Sequence, residues 1–412
     1  MSLKFGAFVP TIAKLEIVPL IYRLPKGRAY GMARGLTSIR QASLVKLTTN
    51  GGVEGIGEAW GPPAVTKAYL DLIESYFVGR EVYGFEHAAS AILSTHYHFG
   101  IQNQMMSCLS GIDIACLDAI GKMLSLPVVK LLGGPARDRL PIYASGGYFT
   151  EKPEKDFPEQ LERLRVSGVK RAKIKIGAGP QCDRERVSIA RKVLGDDTGI
   201  IVDANGNYTY DEALESMRRI ADYGIEWYEE PLPPLNFDGY AALRARAPIP
   251  IATGEALYTA WDFKRLLDLC AVDIVQPDLS MCGGLRAGRE IALLARLHHV
   301  RLSPHVWGAG VGLAAACHFV ASLPDYPHSR NIVQPPLIEY DVGDNALRDT
   351  IFKEPIVVET GLACCPIAQD WALSSTLSPF VVSVSPSGCG VRAKSLSLDA
   401  PSNCRCRRSF RG

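Results

Sequence analysis

Three short apolar runs, each closing on a carboxylate, constrain this chain more than any other feature. They are Gly199-Ile-Ile-Val-Asp203-Ala-Asn205-Gly, Glu226-Trp-Tyr-Glu229-Glu230-Pro231 and Pro250-Ile-Ala-Thr-Gly254-Glu255. Asp203, Glu229 and Glu255 are 26 residues apart at each step. One strand, one helix and two loops fill that interval, because parallel neighbours need a long crossover. Equal spacing therefore puts the three acids at equivalent ends of adjacent parallel strands. Converging carboxylates repel one another unless a hard cation sits among them, and Mg²⁺ suits an all-oxygen donor set. The first expectation is a metal site on a barrel rim.

The flanking sequence continues the pattern. Strands are expected at Ile142–Gly146, Ala172–Ile176, Ile200–Ala204, Trp227–Glu229, Ile251–Glu255, Ile274–Asp278, Arg301–His305 and Leu337–Tyr340, with amphipathic helices such as Asp211–Tyr223 and Gly284–Leu297 between them. Eight such repeats in about 200 residues predict a (β/α)8 TIM-type barrel, the last repeat open to modification. Residues 12–60 read instead as a strand meander, with Thr49-Asn-Gly-Gly52 as a hairpin turn. Residues 64–133 are helical by pattern, which makes an α+β N-terminal domain. The expected units are 1–138 (α+β), 139–361 (barrel) and 362–412, a tail with neither periodicity. Between the first strands, Arg23–Gly35 is a basic, glycine-rich loop, either a plain surface connection or a lid over an anionic ligand.

Composition excludes several classes. A chain of 412 residues with 47% hydrophobic and 21% charged residues is ordinary for a globular protein. A net charge of +2 gives no reason to expect nucleic acid or a membrane surface as partner. The start lacks a signal-peptide core and no run of about 18 apolar residues occurs, so a cytoplasmic protein is expected. Six of the 11 cysteines are scattered before residue 361 without zinc-like spacing, and five crowd the tail.

The strand ends carry the chemistry. Strand two offers Lys173-Ile-Lys175, strands three to five the three acids, strand six Asp278, strand seven His305 and strand eight Glu339. Two lysines on one face of a strand lower each other's pKa, which makes a usable base. Asp278 can hold one nitrogen of His305 and raise its basicity. Each residue alone has a bland reading as turn, edge strand or structural histidine, but the ordered set at one rim does not.

The order Lys-x-Lys, Asp-x-Asn, Glu-Glu-Pro, Gly-Glu, Asp, His, Glu resembles the enolase superfamily, specifically its mandelate racemase subgroup. Ser110-Gly-Ile-Asp-Ile-Ala115, Leu131-Leu-Gly-Gly-Pro135 and Ser303-Pro-His-Val-Trp-Gly308 support the match, which spans about residues 12–361. Enzymes of this superfamily pair a Lys or His base with Mg²⁺ that stabilises an ene-diolate. The resemblance implies that Asp203, Glu229 and Glu255 ligate Mg²⁺ and that Lys175 abstracts the proton α to a substrate carboxylate. Lys173 would tune Lys175, and His305, oriented by Asp278, would act from the opposite face. Glu339 would hydrogen-bond the carboxylate and Asn205 the α-hydroxyl. The α+β domain would cap the site, with Arg23, Arg28 and Tyr30 of its loop touching substrate.

Dehydration of an acid sugar to a 2-keto-3-deoxy acid is the favoured outcome, because the polar loop with Lys26 and Arg34 suits a polyhydroxylated anion. Racemisation or epimerisation of an α-hydroxy acid is the alternative. Relatives are commonly dimers or octamers, so a homo-oligomer is expected. A third reading is an inactive or binding-only barrel, because the family's closing string Pro-Gly-Leu-Gly-Ile-Glu is missing. Codons permitted for Ile367–Thr376, read two bases later, yield Arg-Pro-Gly-Leu-Gly-Ile-Glu-Leu-Asp. A frameshift near position 361 is the expectation this suggests.

Overall fold

The computed structural model describes residues 9–324, 336–354, 356–359 and 361–364. In the N-terminal part, β1 (Ile12–Arg23) pairs antiparallel with β4 (Ile39–Thr49), and β4 with β5 (Glu54–Ala59). The meander is present, and its last turn is the predicted one. Helices α1 (Pro63–Ile73), α2 (Phe85–Thr95), α3 (Gln104–Leu124) and α4 (Val128–Leu131) follow. Every residue of α3 from Met105 to Gly121 is buried, so it is a core helix with no solvent face. It lies tight on β5 because Gly57 carries no side chain: a Cβ there would strike the Gly111 carbonyl.

The Arg23–Gly35 segment differs from a plain loop. Its β2 (Tyr30–Met32) forms a hairpin with β3 (Gly35–Thr37) and also pairs with β7 (Phe149–Thr150), which belongs to the barrel part of the chain. Backbone hydrogen bonds therefore tie this segment down, a pairing that glycine-rich composition conceals.

The remaining strands are β6 (Arg139–Gly146), β8 (Arg171–Lys175), β9 (Gly199–Asp203), β10 (Ile225–Glu229), β11 (Ile251–Thr253), β12 (Ile274–Val275), β13 (Arg301–Leu302) and β14 (Ile338–Asp341). They run parallel in the order β14-β6-β8-β9-β10-β11-β12-β13. Between β13 and β14, Ser303 Oγ donates to the Leu337 carbonyl at 2.7 Å. Helices α5 (Pro153–Val166), α6 (Pro180–Leu194), α7 (Tyr210–Ile220), α8 (Phe237–Arg244), α9 (Thr259–Asp268), α10 (Gly284–Leu297) and α11 (Gly310–Ser322) alternate with them. Among the described residues the helical element after β14 is the single turn α12 (Ala346–Asp349), the modified last repeat. Tyr143, Ile201, Trp227, Ala252, Ile274 and Leu337 fill the barrel interior as one apolar layer.

Beyond Gly361, the strand β16 (Leu362–Cys364) pairs antiparallel with β6 and with β15 (Val358–Glu359). The expected tail beyond it lies outside the described residues. Among the described residues no helix is long and apolar enough to cross a membrane.

Candidate active site

Adjacent strand ends bring the three acids together. Asp203 and Glu229 are paired residues at the ends of β9 and β10, and Glu255 follows β11 by two positions. Gly254 makes that step with φ +135, and a Cβ there would meet Phe263 and the Gln276 amide. One oxygen from each acid lies within 4.8 Å of the others, with Asp203 and Glu229 buried and Glu255 half-buried. The site fits a hard divalent cation: its donors are all carboxylate oxygens, and Glu255 Oε2 is buried without a hydrogen-bond partner.

Both lysines of β8 point into the barrel. Lys175 Nζ lies 2.5 Å from Asp203 Oδ2. Lys173 Nζ bonds Glu229 and lies 2.7 Å from Glu339 Oε1 and 3.6 Å from Asp203. The electrostatic outcome differs from the sequence expectation of a depressed lysine. Burial opposes both ammonium groups and Lys173 does disfavour a charged Lys175, but the surrounding carboxylates, led by Asp203, hold Lys175 above the usual lysine range. Repulsion between two cations loses to several anions in a buried site. Burial also works against a charged Asp203, yet the two lysines hold it down at about 2.

His305 stands across the barrel mouth. Its Nδ1 is 2.8 Å from Asp278 Oδ2, and its Nε2 is 3.6 Å from Glu255 and 3.9 Å from Glu339. Burial disfavours the imidazolium, but Glu255, Glu339 and the Asp278 bond push the pKa up to about 10. Glu339 is held low, to about 2, against its burial by Lys173 and then His305. It is therefore an acceptor in this arrangement, and donating to a substrate carboxylate would require it to take up a proton.

Asn205 is buried at the positive φ of +47, its amide N–H donating to Asp203 Oδ1 at 2.8 Å. Its side-chain Oδ1 is buried and without a hydrogen-bond partner. Tyr30 packs edge-on to Tyr148 and against Trp307, under the Arg40 guanidinium. Arg23 and Arg28 are exposed. The arginine of that segment that reaches the barrel is Arg34, which donates from Nε to the Asn205 carbonyl at 3.1 Å and from its other nitrogen to the Gly206 carbonyl.

Several neighbours of the site escaped the sequence reading. Gln276 Nε2 donates to Glu229 Oε2 at 2.7 Å, and Trp227 Nε1 to the same oxygen at 3.2 Å. Strand alternation from Asp278 pointed to Gln276, and from Glu229 to Trp227. Tyr143 donates to Glu339 Oε2 at 3.3 Å, a contact made by the β6–β14 pairing and without local signature. Glu230, buried at φ +41 with Oε1 unpartnered, adds a further carboxyl whose pKa burial raises.

Fold and site together define a barrel protein whose rim sets a three-carboxylate site suited to a divalent cation between a lysine pair and an Asp–His pair. Two family models match: Enolase C-terminal domain-like over residues 156–367, and Mandelate racemase / muconate lactonizing enzyme, N-terminal domain, over residues 21–133. The chain belongs to the enolase superfamily, in its mandelate racemase/muconate lactonizing enzyme subgroup. It is 35% identical to D-galactarolactone cycloisomerase of Agrobacterium fabrum, over 78% of this chain and 86% of that protein. Arabinonate dehydratase of Saccharolobus solfataricus is 34% identical, over 78% and 84%. The crystal structure of 3,6-anhydro-D-galactonate cycloisomerase from Zobellia galactanivorans superposes with a TM-score of 0.80 at 33% identity, covering 90% of this chain and 98% of that one.

Proposed function

We propose that this protein removes the proton α to the carboxylate of an acid sugar and expels the β-hydroxyl, giving a 2-keto-3-deoxy acid. The observation that carries this reading is a lysine and a histidine flanking one carboxylate cluster, Lys175 at Asp203 and His305 at Glu255. Asp203, Glu229 and Glu255 would hold Mg²⁺, which when bound supplies an electrophile to the substrate carboxylate. With the Asp203 charge engaged there, Lys175 keeps Lys173 as its charged neighbour, and that favours the neutral amine a base must be. Lys175 then takes the α-proton while Lys173 donates to the developing negative charge. Glu339 serves the second carboxylate oxygen once protonated, and a bound anion beside it favours that uptake. Asn205 offers its amide to the α-hydroxyl. His305, charged and held by Asp278, protonates the departing hydroxyl so that it leaves as water.

Names of the relatives support a polyhydroxylated acid as substrate, and they favour a second reading. Where the expelled oxygen belongs to a ring and stays tethered, the same elimination gives an isomer, as a cycloisomerase would. Racemisation, with His305 reprotonating the α-carbon, uses the same two bases. The test is a panel of acid sugars, their lactones and anhydro acids with Mg²⁺, assayed for 2-keto acid. An absence of keto acid, with solvent deuterium entering the α-carbon of an α-hydroxy acid, would replace elimination by racemisation. An inert protein on every substrate would favour a barrel disabled by its tail. The frameshift proposal has its own test: gene codons for Ile367–Thr376 that cannot yield Pro-Gly-Leu-Gly-Ile-Glu in another frame remove it.

A further inference from the structure

We infer that Glu58, on β5 of the N-terminal part, is a positioning residue for His305, fixing the imidazole by capping the helix that follows it. This rests on the proposed role of His305 as the second acid–base group. Glu58 is 1% exposed and accepts from the Ala309 amide at 2.7 Å through Oε1 and from the Gly312 amide at 2.7 Å through Oε2. Gly312 N–H is a first-turn donor of α11, which a helix normally satisfies from its own N-cap side chain, and Ala309 N–H is the N-cap donor that a capping-box side chain at N3 would otherwise meet. The N-cap residue of α11 is Ala309, which has no such group. Only Val306, Trp307 and Gly308 separate His305 from this anchor. Gly308 passes so close, at φ +144, that a Cβ would strike Glu58 Oε1.

The partner of the dyad is gripped in the same way. After Asp278 comes α10, whose N-cap is Gly283. Its amides are met from α3: Gly283 N–H donates to Ser110 Oγ at 2.8 Å, and Arg286 N–H to Asp113 Oδ2 at 3.1 Å. Two residues on from Glu58, the Trp60 amide donates to the Ser280 carbonyl at 2.9 Å, and Ser280 N–H in turn donates to Asp278 Oδ1 at 2.8 Å. By contrast, α7 is capped by its own Thr209 and Glu212, and α8 by its own Asn236. The two helices that follow the dyad strands take their caps from the other part of the chain. Burial, with a smaller push from Asp278, outweighs the two amide bonds and leaves the Glu58 carboxyl raised to about 7, so the charged form leans on the bonds that hold the loop.

The experiment compares full-length wild type with Glu58→Gln and Glu58→Ala. Histidine side-chain ¹⁵N–¹H spectra are recorded, the His305 signals among the 8 histidines being assigned by their loss in His305→Asn. Expected is a displaced or broadened Nδ1–H signal for His305 in both variants, larger for Ala, with the other histidines unmoved. On a substrate found in the panel, elimination falls about 100-fold, while α-proton exchange through Lys175 and KM are retained. An unchanged His305 signal in folded Glu58→Gln overturns the inference, as does an equal loss of exchange and elimination. Should wild type turn over nothing, the proposed reaction fails, and the spectra alone still decide whether Glu58 positions His305.

Discussion

His305 Nδ1 meets Asp278 Oδ2 at 2.8 Å across a parallel bridge just beyond β12 and β13, leaving Nε2 turned toward Glu255 and Glu339. The bond orients the ring as well as charging it, because one nitrogen is committed to the aspartate and the other faces the cavity. The same barrel mouth presents Lys175 on β8, with β6 and β14 between it and β13 on one side of the ring. A lysine and a histidine thus face one cluster of acids.

His305→Asn should separate the two halves of the reaction. Elimination is expected to fall by about 100- to 10,000-fold, while exchange of the α-proton with solvent deuterium through Lys175 persists. Lys175→Ala should lose both. Mass spectrometry of recovered substrate from D₂O measures the exchange, and retention of elimination in His305→Asn would rule out the assignment.

Asp203→Asn removes a negative charge from the cluster and keeps its shape. Turnover should fall on the order of 1,000-fold, and Mg²⁺ or Mn²⁺ affinity measured by calorimetry should weaken alongside it. Circular dichroism should be unchanged, because Asp203 serves the site and not the apolar layer beneath it. Undiminished metal affinity would remove Asp203 from the ligand set.

Gly57→Ala should destabilise the fold by about 3 kcal/mol, read from denaturant unfolding. The added Cβ meets backbone, the Gly111 carbonyl and, at 2.8 Å, the Ala115 amide, so β5 and α3 must part. A neutral result would show that the two elements have room to separate.

Acid stability should carry a contribution from His318. It is buried on α11, accepts from the Val129 amide at 3.2 Å, and burial alone takes its pKa down to about 4. An unfolded histidine binds its proton below about 6.5, whereas the folded one waits until about 4. The unfolded state therefore binds more protons in that window, and stability falls as pH drops through it, by about 3 kcal/mol in full. His318→Gln should flatten the stability profile between those pH values. An unaltered acid limb would mean that His318 is not the group responsible.

Much of this site was legible in the chain because parallel barrels convert spacing into adjacency. Equal 26-residue steps placed Asp203, Glu229 and Glu255 on consecutive strands, and alternation turned Lys173 and Lys175 to the same face. Gln276 was within reach of the same rule. The contacts of Tyr143 with Glu339 and of Glu58 with α11 were not, because each joins residues nearly 200 or more apart through strand closure or domain docking.

The sequence by itself determined which groups line the rim and in what order, since strand period and repeat length are local properties of the chain. Tertiary structure alone decided their charge states and their supports. Against burial and Lys173, the carboxylates led by Asp203 shift the Lys175 pKa above the usual lysine range, because several buried anions outweigh one neighbouring cation. The Arg23–Gly35 segment is tied into a sheet through β7, and the dyad loops are capped from β5 and α3. These are sums over many neighbours in a buried space, and no spacing along the chain encodes them.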